Sequence, residues 1–395
     1  MPIPVPHPWD SPAPVPSKDF VDPPVSLAGS GFRRAALSDL HALAEIERLG
    51  FPGDRISRRQ WRYLLTKAHA DTLVADGDNG LGGYVLLLYN RGTSVARLYS
   101  VAVSQQARRP GLGRRLAQIA ETVARERGRA YLRLEVRRDD AASLGLFEGL
   151  GYRRFGVLDD HYEDHMQAIR LEKLLKPDLG STQAPIPFYE QTLEFTCGAS
   201  CLMMAMKALQ PDLVLNRTLE LRLWREATTI FMTSGHGGCG PFGLALAAHR
   251  RGFGVTIYVS DSEVPLVDSV RSPEKKEVMR LVHQDMLEEI HTTGISVRYE
   301  NLPLEQMEHF ATQGEIPLVL ISSYRIYGEK MPHWVVVVGI DEHFVYVNDP
   351  FVDYDEGETL SDSIHIPIPC REFARMARYG RSGLQAVVLL RRPAL

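Results

Sequence analysis

The stretch VARLYSVAVSQQARRPGLGRRLAQIAETVARERG, residues 95–128, joins a strand to a helix through a turn rich in arginine and glycine. Its β-branched and apolar beginning predicts a strand. The run from Gly111 to Gly128 predicts a helix that ends at Gly128. A glycine turn at a helix start brings backbone N–H groups and the positive end of the helix dipole to one point. The stretch therefore predicts a site for a pyrophosphate group.

The residue types of the turn suit the same ligand. Gly111 and Gly113 allow the backbone to approach phosphate oxygens without an intervening Cβ atom. Arg108, Arg109 and Arg114 add positive charge and paired donors. Two alternatives stay open: an ordinary turn with solvated arginines, and a nucleic-acid contact, which the net charge of −4 does not favour.

Strand and helix patterns alternate on both sides of this stretch, from about residue 31 to residue 175. In SDLHALAEIERLGF, residues 38–51, Ser38 is a candidate N-cap. The apolar residues expected on one face of this helix are Leu40, Leu43, Ile46 and Leu49. Alternating strands and helices predict a mixed α/β domain.

LYSVAV, RRPGLGRRL and the later YLRLEVRRDDAASLGLFEGLGY resemble the GNAT acetyltransferase family across this region, most of all members that acetylate N-terminal amines of ribosomal proteins. The family motif Q/R-x-x-G-x-G/A falls on Arg108, Gly111 and Gly113. The resemblance implies a mixed, mostly antiparallel sheet with flanking helices. It also implies acetyl-CoA as co-substrate, a peptide or protein amine as acceptor, and binding of the pantetheine arm by backbone groups of Val101 and Val103.

Acetyl transfer needs a base for the incoming ammonium and an acid for the departing thiolate. Glu135 matches a position where related enzymes carry a glutamate, although a strand-end carboxylate is an equal interpretation. Phe147 stands where related members have a tyrosine whose hydroxyl protonates the departing thiolate, and Asp140 replaces a common asparagine near the cofactor. Either Tyr152 or Tyr162 is then the acid, or transfer is slow, or the domain mainly binds acyl-CoA.

A second motif starts at Gln191 in QTLEFTCG, residues 191–198. Cys197 precedes an apolar helix, whose dipole stabilises a thiolate. His333 completes a thiolate–imidazolium pair, and Asp349 holds the tautomer of the ring. Gln191 offers an amide donor for an oxyanion. Each residue also has a plain interpretation: a core cysteine, a strand-end histidine and a turn aspartate.

QTLEFTCGASCLMM, GCGPFGLALAAHRRGF and HWVVVVGIDEHFVYVNDP resemble the cysteine peptidases that trim leader peptides in bacteriocin exporters. The resemblance implies a papain-like α+β fold with Cys197 as nucleophile, His333 as general base, Asp349 as orienting acid and Gln191 as oxyanion donor. The exporters' membrane and ATPase parts have no counterpart in the sequence, and residues 272–294 form an insertion-like charged helix. The leader-peptide substrate therefore carries over less directly than the hydrolase chemistry.

Length and composition set the organisation. The 395 residues predict two domains. We expect a proline-rich disordered arm at 1–30, the GNAT domain at 31–175, a linker at 176–187 and the papain-like domain at 188–395. Four cysteines without a C-x-x-C pair, no basic leader and no long apolar run predict a soluble, cytoplasmic bacterial protein. We expect it to bind neither nucleic acid, nor a membrane, nor a metal.

Together these features predict a bifunctional enzyme. The cysteine domain would cleave an amide bond in a peptide or protein, and the GNAT domain would acetylate an amine, in the simplest case the one that cleavage exposes. An alternative is an acyl-CoA-binding regulatory module attached to a cysteine-dependent transferase or ligase, since an amine can intercept a thioester as well as water can.

Overall fold

The computed structural model describes residues 27, 31–51, 53, 55–77, 80–105, 111–175, 184–228, 237–260, 262–267, 270–354 and 358–392. The backbone forms two compact units, whose main division falls between residues 179 and 180. Apart from Leu27, the arm predicted at 1–30 lies outside the described residues, as does most of the linker predicted at 176–187.

Within the described residues, the first unit contains a seven-stranded sheet with the order β1-β2-β3-β4-β5-β7-β6. Its strands are β1 (Arg33–Arg34), β2 (Ala70–Gly77), β3 (Gly80–Tyr89), β4 (Val95–Val103), β5 (Tyr131–Arg137), β6 (Arg153–Leu158) and β7 (Ala168–Leu174). Neighbouring strands are antiparallel, except that β4 and β5 are parallel. The predicted mixed, mostly antiparallel sheet is confirmed.

Helices cover both faces of this sheet. They are α1 (Leu40–Gly50) and α2 (Arg58–Thr66) on one face, and α3 (Leu112–Glu126) and α4 (Ala141–Glu148) on the other. Strand β3 shows how the two cores arise. Val85 and Leu87 pack in the core with α3, while Tyr84 and Leu86 pack in the core with α1, because alternate side chains of a strand point to opposite faces.

The start of α1 differs from the prediction. Ser38 is not the N-cap, because it lies in a short 3-10 turn, Leu37–Asp39, that leads directly into α1. Leu49 is 45% exposed, whereas Glu47 is only 2% exposed. At 3.6 residues per turn Glu47 shares the face of Leu43, so the buried stripe runs through a glutamate that the apolar pattern did not indicate.

The second unit contains a seven-stranded sheet, counted over the described ranges, with the order β13-β12-β11-β10-β14-β8-β9. Its strands are β8 (Gly254–Val259), β9 (Ser296–Arg298), β10 (Ile316–Ser322), β11 (Pro332–Ile340), β12 (Phe344–Asn348), β13 (Ile366–Pro369) and β14 (Ala386–Arg391). All pairs are antiparallel except β8 with β9. Helices precede and interrupt this sheet, as an α+β fold requires.

The helices of the second unit are α5 (Cys197–Leu209), α6 (Arg217–Ala227), α7 (Pro241–His249), α8 (Pro273–His291), α9 (Leu304–Thr312), α10 (Tyr324–Tyr327), α11 (Leu360–Ser363) and α12 (Cys370–Met376). Helix α5 is buried from Cys197 to Met206 and packs on β11 and β10. Residues of α9 and α12 share a separate core with the same strands. The sheet therefore presents β11, an interior strand between β12 and β10, to α5.

Candidate functional sites

Cys197 is the first residue of α5 and follows Thr196, the N-cap. The next residue has to be glycine. A Cβ atom on Gly198 would lie 2.8 Å from Cβ of Cys239 and 3.1 Å from Cδ1 of Trp334. The indole N–H of Trp334 donates to the carbonyl of Cys239 at 3.0 Å, which holds both neighbours in place. The first turn of α5, which carries Cys197, is therefore tightly packed against Cys239 and Trp334.

Strands β11 and β12 bring a histidine and an aspartate together. The antiparallel register that pairs Val336 with Asn348 sets His333, near the start of β11, beside Asp349, which follows β12. Nε2 of His333 lies 2.6 Å from Oδ1 of Asp349, and both side chains are buried. Since Asp349 occupies Nε2, Nδ1 is the ring nitrogen left for a second partner, and the neighbouring thiol of Cys197 acts on the pKa of the ring.

The surroundings of His333 favour a charged ring. Burial lowers the pKa of His333. The negative charge and hydrogen bond of Asp349, with the hydrogen bond to Cys197, outweigh burial and raise this pKa to about 10. An imidazolium beside a cysteine stabilises the thiolate. The arrangement can therefore hold a thiolate–imidazolium pair, the reactive form of cysteine hydrolases.

Asp349 is held by two further donors. The hydroxyl of Tyr327 donates to Oδ2 at 2.9 Å, and the backbone N–H of Phe351 donates to Oδ1 at 2.9 Å. Burial, and then the charge of Asp349, raise the pKa of Tyr327, so its hydroxyl stays a donor. Sequence reasoning missed Tyr327, because a lone tyrosine upstream of a histidine carries no spacing signal.

Gln191 is anchored to the same region at two points. Its backbone N–H donates to the carbonyl of Pro350, next to Asp349, at 2.8 Å. Its side-chain Nε2 donates to the carbonyl of Leu193 at 3.0 Å, and the backbone N–H of Thr196 donates to that carbonyl at 3.2 Å. An amide nitrogen carries two N–H groups, so one is used to fix the side chain and one can serve a ligand.

The other three cysteines are parts of the packing. Sγ of Cys201 donates to the carbonyl of Trp334 at 3.2 Å, and Cys239 is 1% exposed. Burial raises the pKa of the thiols of Cys201, Cys239 and Cys370. These thiols stay protonated at neutral pH, which makes them poor nucleophiles.

In the first unit, β4 and β5 run side by side only at their start. Parallel pairing joins Val95–Arg97 to Tyr131–Arg133, whereas the later part of β4 is paired with β3. The register between β3 and β4 shifts at Tyr99, which marks a bulge. Among the described residues, the edge of β4 that carries Val101 and Val103 therefore has no β5 partner, and its backbone groups are available to an extended ligand.

The first turn of α3 lies next to the end of β4. A Cβ atom on Gly113 would be 3.9 Å from Val103 and 3.9 Å from Leu146, which is ordinary contact. Gly111 has a φ of +90°, a conformation that favours glycine, and a Cβ atom there would meet nothing within 4 Å. The first N–H groups of α3 lack partners within the helix, as at any helix N-terminus, which is a usual place for anions.

The arginines of the motif divide into two groups. Arg108 and Arg109 lie outside the described residues. Arg114 extends toward the end of α4, where its Nη1 donates to the carbonyl of Gly149 at 3.3 Å. The structure therefore gives Arg114 a protein partner beside its predicted phosphate role, which stays a prediction.

Two predicted carboxylates also have protein partners. Asp140 is the N-cap of α4, and its oxygens accept from the backbone N–H of Ser143 at 3.0 Å and from the hydroxyl of Ser143 at 2.6 Å. Glu135 forms a buried ion pair with Arg97 at 2.9 Å. Asp140 thus fixes the start of α4, and the proposed base role of Glu135 stays a prediction.

The aromatic residues near α4 are mostly buried. Phe147 is 2% exposed, and its ring meets Tyr152 edge on at 5.2 Å. Burial and the nearby carboxylate of Glu121 raise the pKa of Tyr152, which makes it a poor acid for a departing thiolate. Tyr162 is half-buried, with its ring 4.9 Å from the guanidinium of Arg137. Of the two predicted tyrosines, Tyr162 is the more accessible.

Over the described ranges, no group of three or more His, Cys, Asp or Glu side chains is arranged to hold a metal ion. None of the helices in those ranges combines the length and the hydropathy that crossing a bilayer requires.

Comparisons with known proteins identify both regions. The model of the Peptidase_C39 like family matches residues 186–391, and that of the acetyltransferase (GNAT) family matches residues 38–152. The curated ribosomal protein bS18-alanine N-acetyltransferases of Escherichia coli (strain K12) and Shigella flexneri are 37% identical over 67 residues, or 17% of this chain. The match spans 45% of the length of these relatives.

Solved structures similar to this chain include two acetyltransferases of the same kind. The ribosomal-protein-S18-alanine N-acetyltransferase from Escherichia coli is 22% identical, with 38% of this chain and 97% of that chain covered and a TM-score of 0.34. The ribosomal-protein-alanine N-acetyltransferase from Brucella melitensis is 25% identical, with 36% and 98% covered and a TM-score of 0.33.

Proposed function

The chain belongs to the Peptidase_C39 like family, and from this premise we propose that it is a bifunctional enzyme. Its second region, residues 188–395, is a cysteine hydrolase that cleaves an amide bond in a peptide or protein. Its first region, residues 31–175, is an acetyl-CoA-dependent N-acetyltransferase. One observation carries the hydrolase proposal: Cys197 at the start of α5 shares the His333 ring with Asp349, which lies 2.6 Å from Nε2.

In the proposed reaction, the Cys197 thiolate attacks the carbonyl carbon of the amide. The carbonyl oxygen, which becomes negative, accepts hydrogen bonds from N–H groups of Gln191 and of the start of α5. The C–N bond breaks as the His333 imidazolium gives its proton to the leaving amine, which leaves an acyl thioester on Cys197. His333 then takes a proton from water, the hydroxide attacks the thioester, and the C–S bond breaks to restore the ion pair. Asp349 keeps the ring in one tautomer throughout.

The first region fits an acyl-CoA. Gly111, Gly113 and the first N–H groups of α3 suit the pyrophosphate, and backbone groups at Val101 and Val103 suit the extended pantetheine arm. Arg108, Arg109 and Arg114 add positive charge for the phosphates, and Asp140 fixes the adjoining start of α4. When bound, acetyl-CoA supplies an activated acetyl group. Glu135 is the proposed acceptor of the amine proton.

The acceptor is proposed to be an amine of a peptide or protein, and the setting a bacterial cytoplasm. The matched relatives are named for acetylating an alanine of ribosomal protein bS18, which supports a protein amine. All four cysteines are free thiols, which suits a reducing compartment. We place neither nucleic acid, nor a membrane, nor a metal among the partners.

Phe147 favours a second reading of the first region. Its ring is 2% exposed and has no proton to give, so the region would bind acyl-CoA as a regulatory module attached to a cysteine-dependent transferase or ligase. Calorimetry with acetyl-CoA, followed by acyl-transfer assays on a panel of amines, separates the two readings. Tight binding without transfer to any amine supports the module.

A peptide library incubated with acetyl-CoA tests the proposed function. We expect shortened peptides and peptides heavier by one acetyl group, and we expect Cys197→Ala to remove the shortened peptides. Joined peptides instead of fragments would identify a ligase. Shortened peptides that persist in Cys197→Ala would exclude the cysteine mechanism.

A further inference from the structure

Glu220, on α6, is a carboxylate with 0% exposure among donors from the segment that leads to α5. Thr192 donates twice, from its backbone N–H to Oε1 and from its hydroxyl to Oε2, both at 2.8 Å. Further hydroxyl donors are Tyr189 at 3.0 Å, Thr196 at 2.5 Å and Ser200 at 3.5 Å. The Glu220 side chain thus links α6 to residues that come before and after Cys197 in the chain.

Within the described ranges, no cation balances this charge at close range. Among the residues that the structure describes, no lysine, arginine or histidine nitrogen lies within 4.0 Å of the Glu220 carboxylate. Burying a carboxylate without a cation is costly even when donors surround it, and a well-packed apolar side chain avoids that cost. A contribution to stability is therefore a weak explanation for a buried glutamate at this position. A stronger explanation is that the carboxylate fixes the positions of the groups that donate to it.

The donors flank the groups on which the proposed chemistry depends. Thr192 follows Gln191 in the chain, and Thr196 precedes Cys197. The carbonyl of Leu193 accepts from Nε2 of Gln191 at 3.0 Å and from the backbone N–H of Thr196 at 3.2 Å. A shift of Thr196 would therefore move the nucleophile and release the amide at the same time.

We propose that Glu220 is a positioning residue of the cysteine site. Its carboxylate sets the conformation of residues 189–200 so that the Gln191 amide and the Cys197 thiol face one substrate carbonyl. This inference rests on the proposed hydrolase function. Glu220 acts through its donors and not on the reacting atoms. Sequence reasoning missed it, because a glutamate in the charged helix RTLELRLWREA resembles an ordinary surface residue.

Three variants separate positioning from stability. Glu220→Ala removes all the contacts of the carboxylate. Glu220→Gln keeps the shape, and the hydroxyls of Tyr189 and Thr192 can reverse to accept from the new amide. Glu226→Ala is the matched control: it lies on the same helix and removes a carboxylate that pairs instead with Arg251 at 2.7 Å.

The readouts are the rate of Cys197 alkylation by iodoacetamide as a function of pH, kcat and KM for a cleaved peptide, and Tm. All rates are measured well below the lowest Tm. We expect Glu220→Ala to slow alkylation and lower kcat at least about tenfold, because small displacements of reacting groups cost that much or more, with little change in KM. Glu220→Gln should stay within about threefold of wild type. Glu226→Ala should lower only Tm.

A Glu220→Ala protein with the wild-type pH profile and kcat would overturn the proposal, as would equal losses in Glu226→Ala. If Glu220→Ala does not fold, Thr196→Val removes one donor while keeping the shape. It should lower kcat by about threefold or more, and an unchanged kcat would then count against positioning. A wild-type protein in which Cys197 is not alkylated preferentially would refute the hydrolase function itself, whatever the variants do.

Discussion

The His333 ring is fixed by its two partners. Nε2 faces Asp349 at 2.6 Å, and Asp349 is in turn fixed by Tyr327 and by the backbone of Phe351. Turning the ring over would break the contact with Asp349, so Cys197 always meets the same nitrogen. The hydroxyl of Tyr327, which donates to Asp349, thus helps to determine which ring nitrogen faces the thiol.

The raised pKa of His333 makes stability depend on pH. The folded protein holds this proton more tightly than the unfolded chain does, so the contribution is complete below about pH 6.5 and is lost as the pH rises toward 10. Between about pH 8.5, where an unfolded thiol also loses its proton, and pH 10, denaturant titrations should show the free energy of unfolding of wild type falling, relative to His333→Gln, by up to about 1.4 kcal/mol per pH unit. A difference that stays constant from pH 6.5 to 10 would contradict this expectation.

Gly198 tests the packing under the nucleophile. We expect Gly198→Ala to lower the free energy of unfolding by about 1–3 kcal/mol, because its Cβ atom would lie 2.8 Å from Cβ of Cys239. Alkylation of Cys197 should slow in the same variant. Gly294→Ala is the control, since a Cβ atom there meets nothing within 4 Å. Equal stability of the two variants would show that Gly198 is not under steric constraint.

At this scale the sequence predicted residue types and not contacts. Cys197, His333, Asp349 and Gln191 were indicated by their types, their order and a family resemblance. Glu220 and Tyr327 were not, because their roles arise only when α6 and α10 pack beside the site. Contacts between residues distant in the chain leave no periodic trace in the sequence.

Two helix N-termini define the two sites. The start of α3 offers N–H groups to the proposed pyrophosphate, and the start of α5 carries the proposed thiolate. Both use the same property, the positive end of a helix with unsatisfied donors. A glycine stands at or next to each start: Gly111 has a φ of +90° at the cap of α3, and Gly198 allows neighbouring side chains to approach the first turn of α5.

The two ends of α3 allow a matched test of the acyl-CoA site. Gly111 precedes the helix with φ +90°, Gly128 follows it with φ +73°, and a Cβ atom at either meets nothing within 4 Å. Alanine at either position should cost about 1–2 kcal/mol of stability, because it strains the backbone. Only Gly111→Ala should weaken acetyl-CoA binding in calorimetry, by about tenfold. Equal affinities in the two variants would remove the start of α3 from the site.

The elements were predictable where one physical signal dominated. The strand before the glycine turn, the helix after it and the apolar helix at Cys197 all follow from periodicity and end signals. The sequence did not predict where β4 separates from β5, because no local pattern encodes where two parallel strands part. The prediction of the buried face of α1 was partly wrong, since Glu47 is buried and Leu49, which the apolar pattern placed on that face, is exposed.

At the scale of the whole molecule, the proposed pairing of a hydrolase with an acetyltransferase suggests an order of events. Cleavage of an amide produces a new amine, and an amine is what an acetyltransferase uses. With an intact peptide, Cys197→Ala should therefore lose acetylation of the internal amine along with cleavage. The same variant should acetylate a synthetic, pre-cleaved peptide at the wild-type rate. Mass spectrometry of both reactions measures this, and undiminished acetylation of uncleaved peptides by Cys197→Ala would refute the coupling.

The sequence predicted two regions in the right order, and the families of both are now identified. It did not predict the acyl acceptor or the cleaved peptide. Substrate choice depends on the shape of a surface built from several elements, which a sequence does not give. The reaction type depends on a few residues, and their types can be read directly from the sequence.

The central claim is that His333 activates Cys197, and thiol labelling tests it most directly. The protein is treated with iodoacetamide at neutral pH, and the labelled residue is mapped by mass spectrometry in wild type, His333→Ala and His343→Ala, the last an exposed control histidine. We predict label on Cys197 ahead of Cys201, Cys239 and Cys370. The rate should fall at least about tenfold in His333→Ala and stay unchanged in His343→Ala. Label on Cys201 or Cys239 first, or an equal rate at Cys197 in His333→Ala, would contradict the claim.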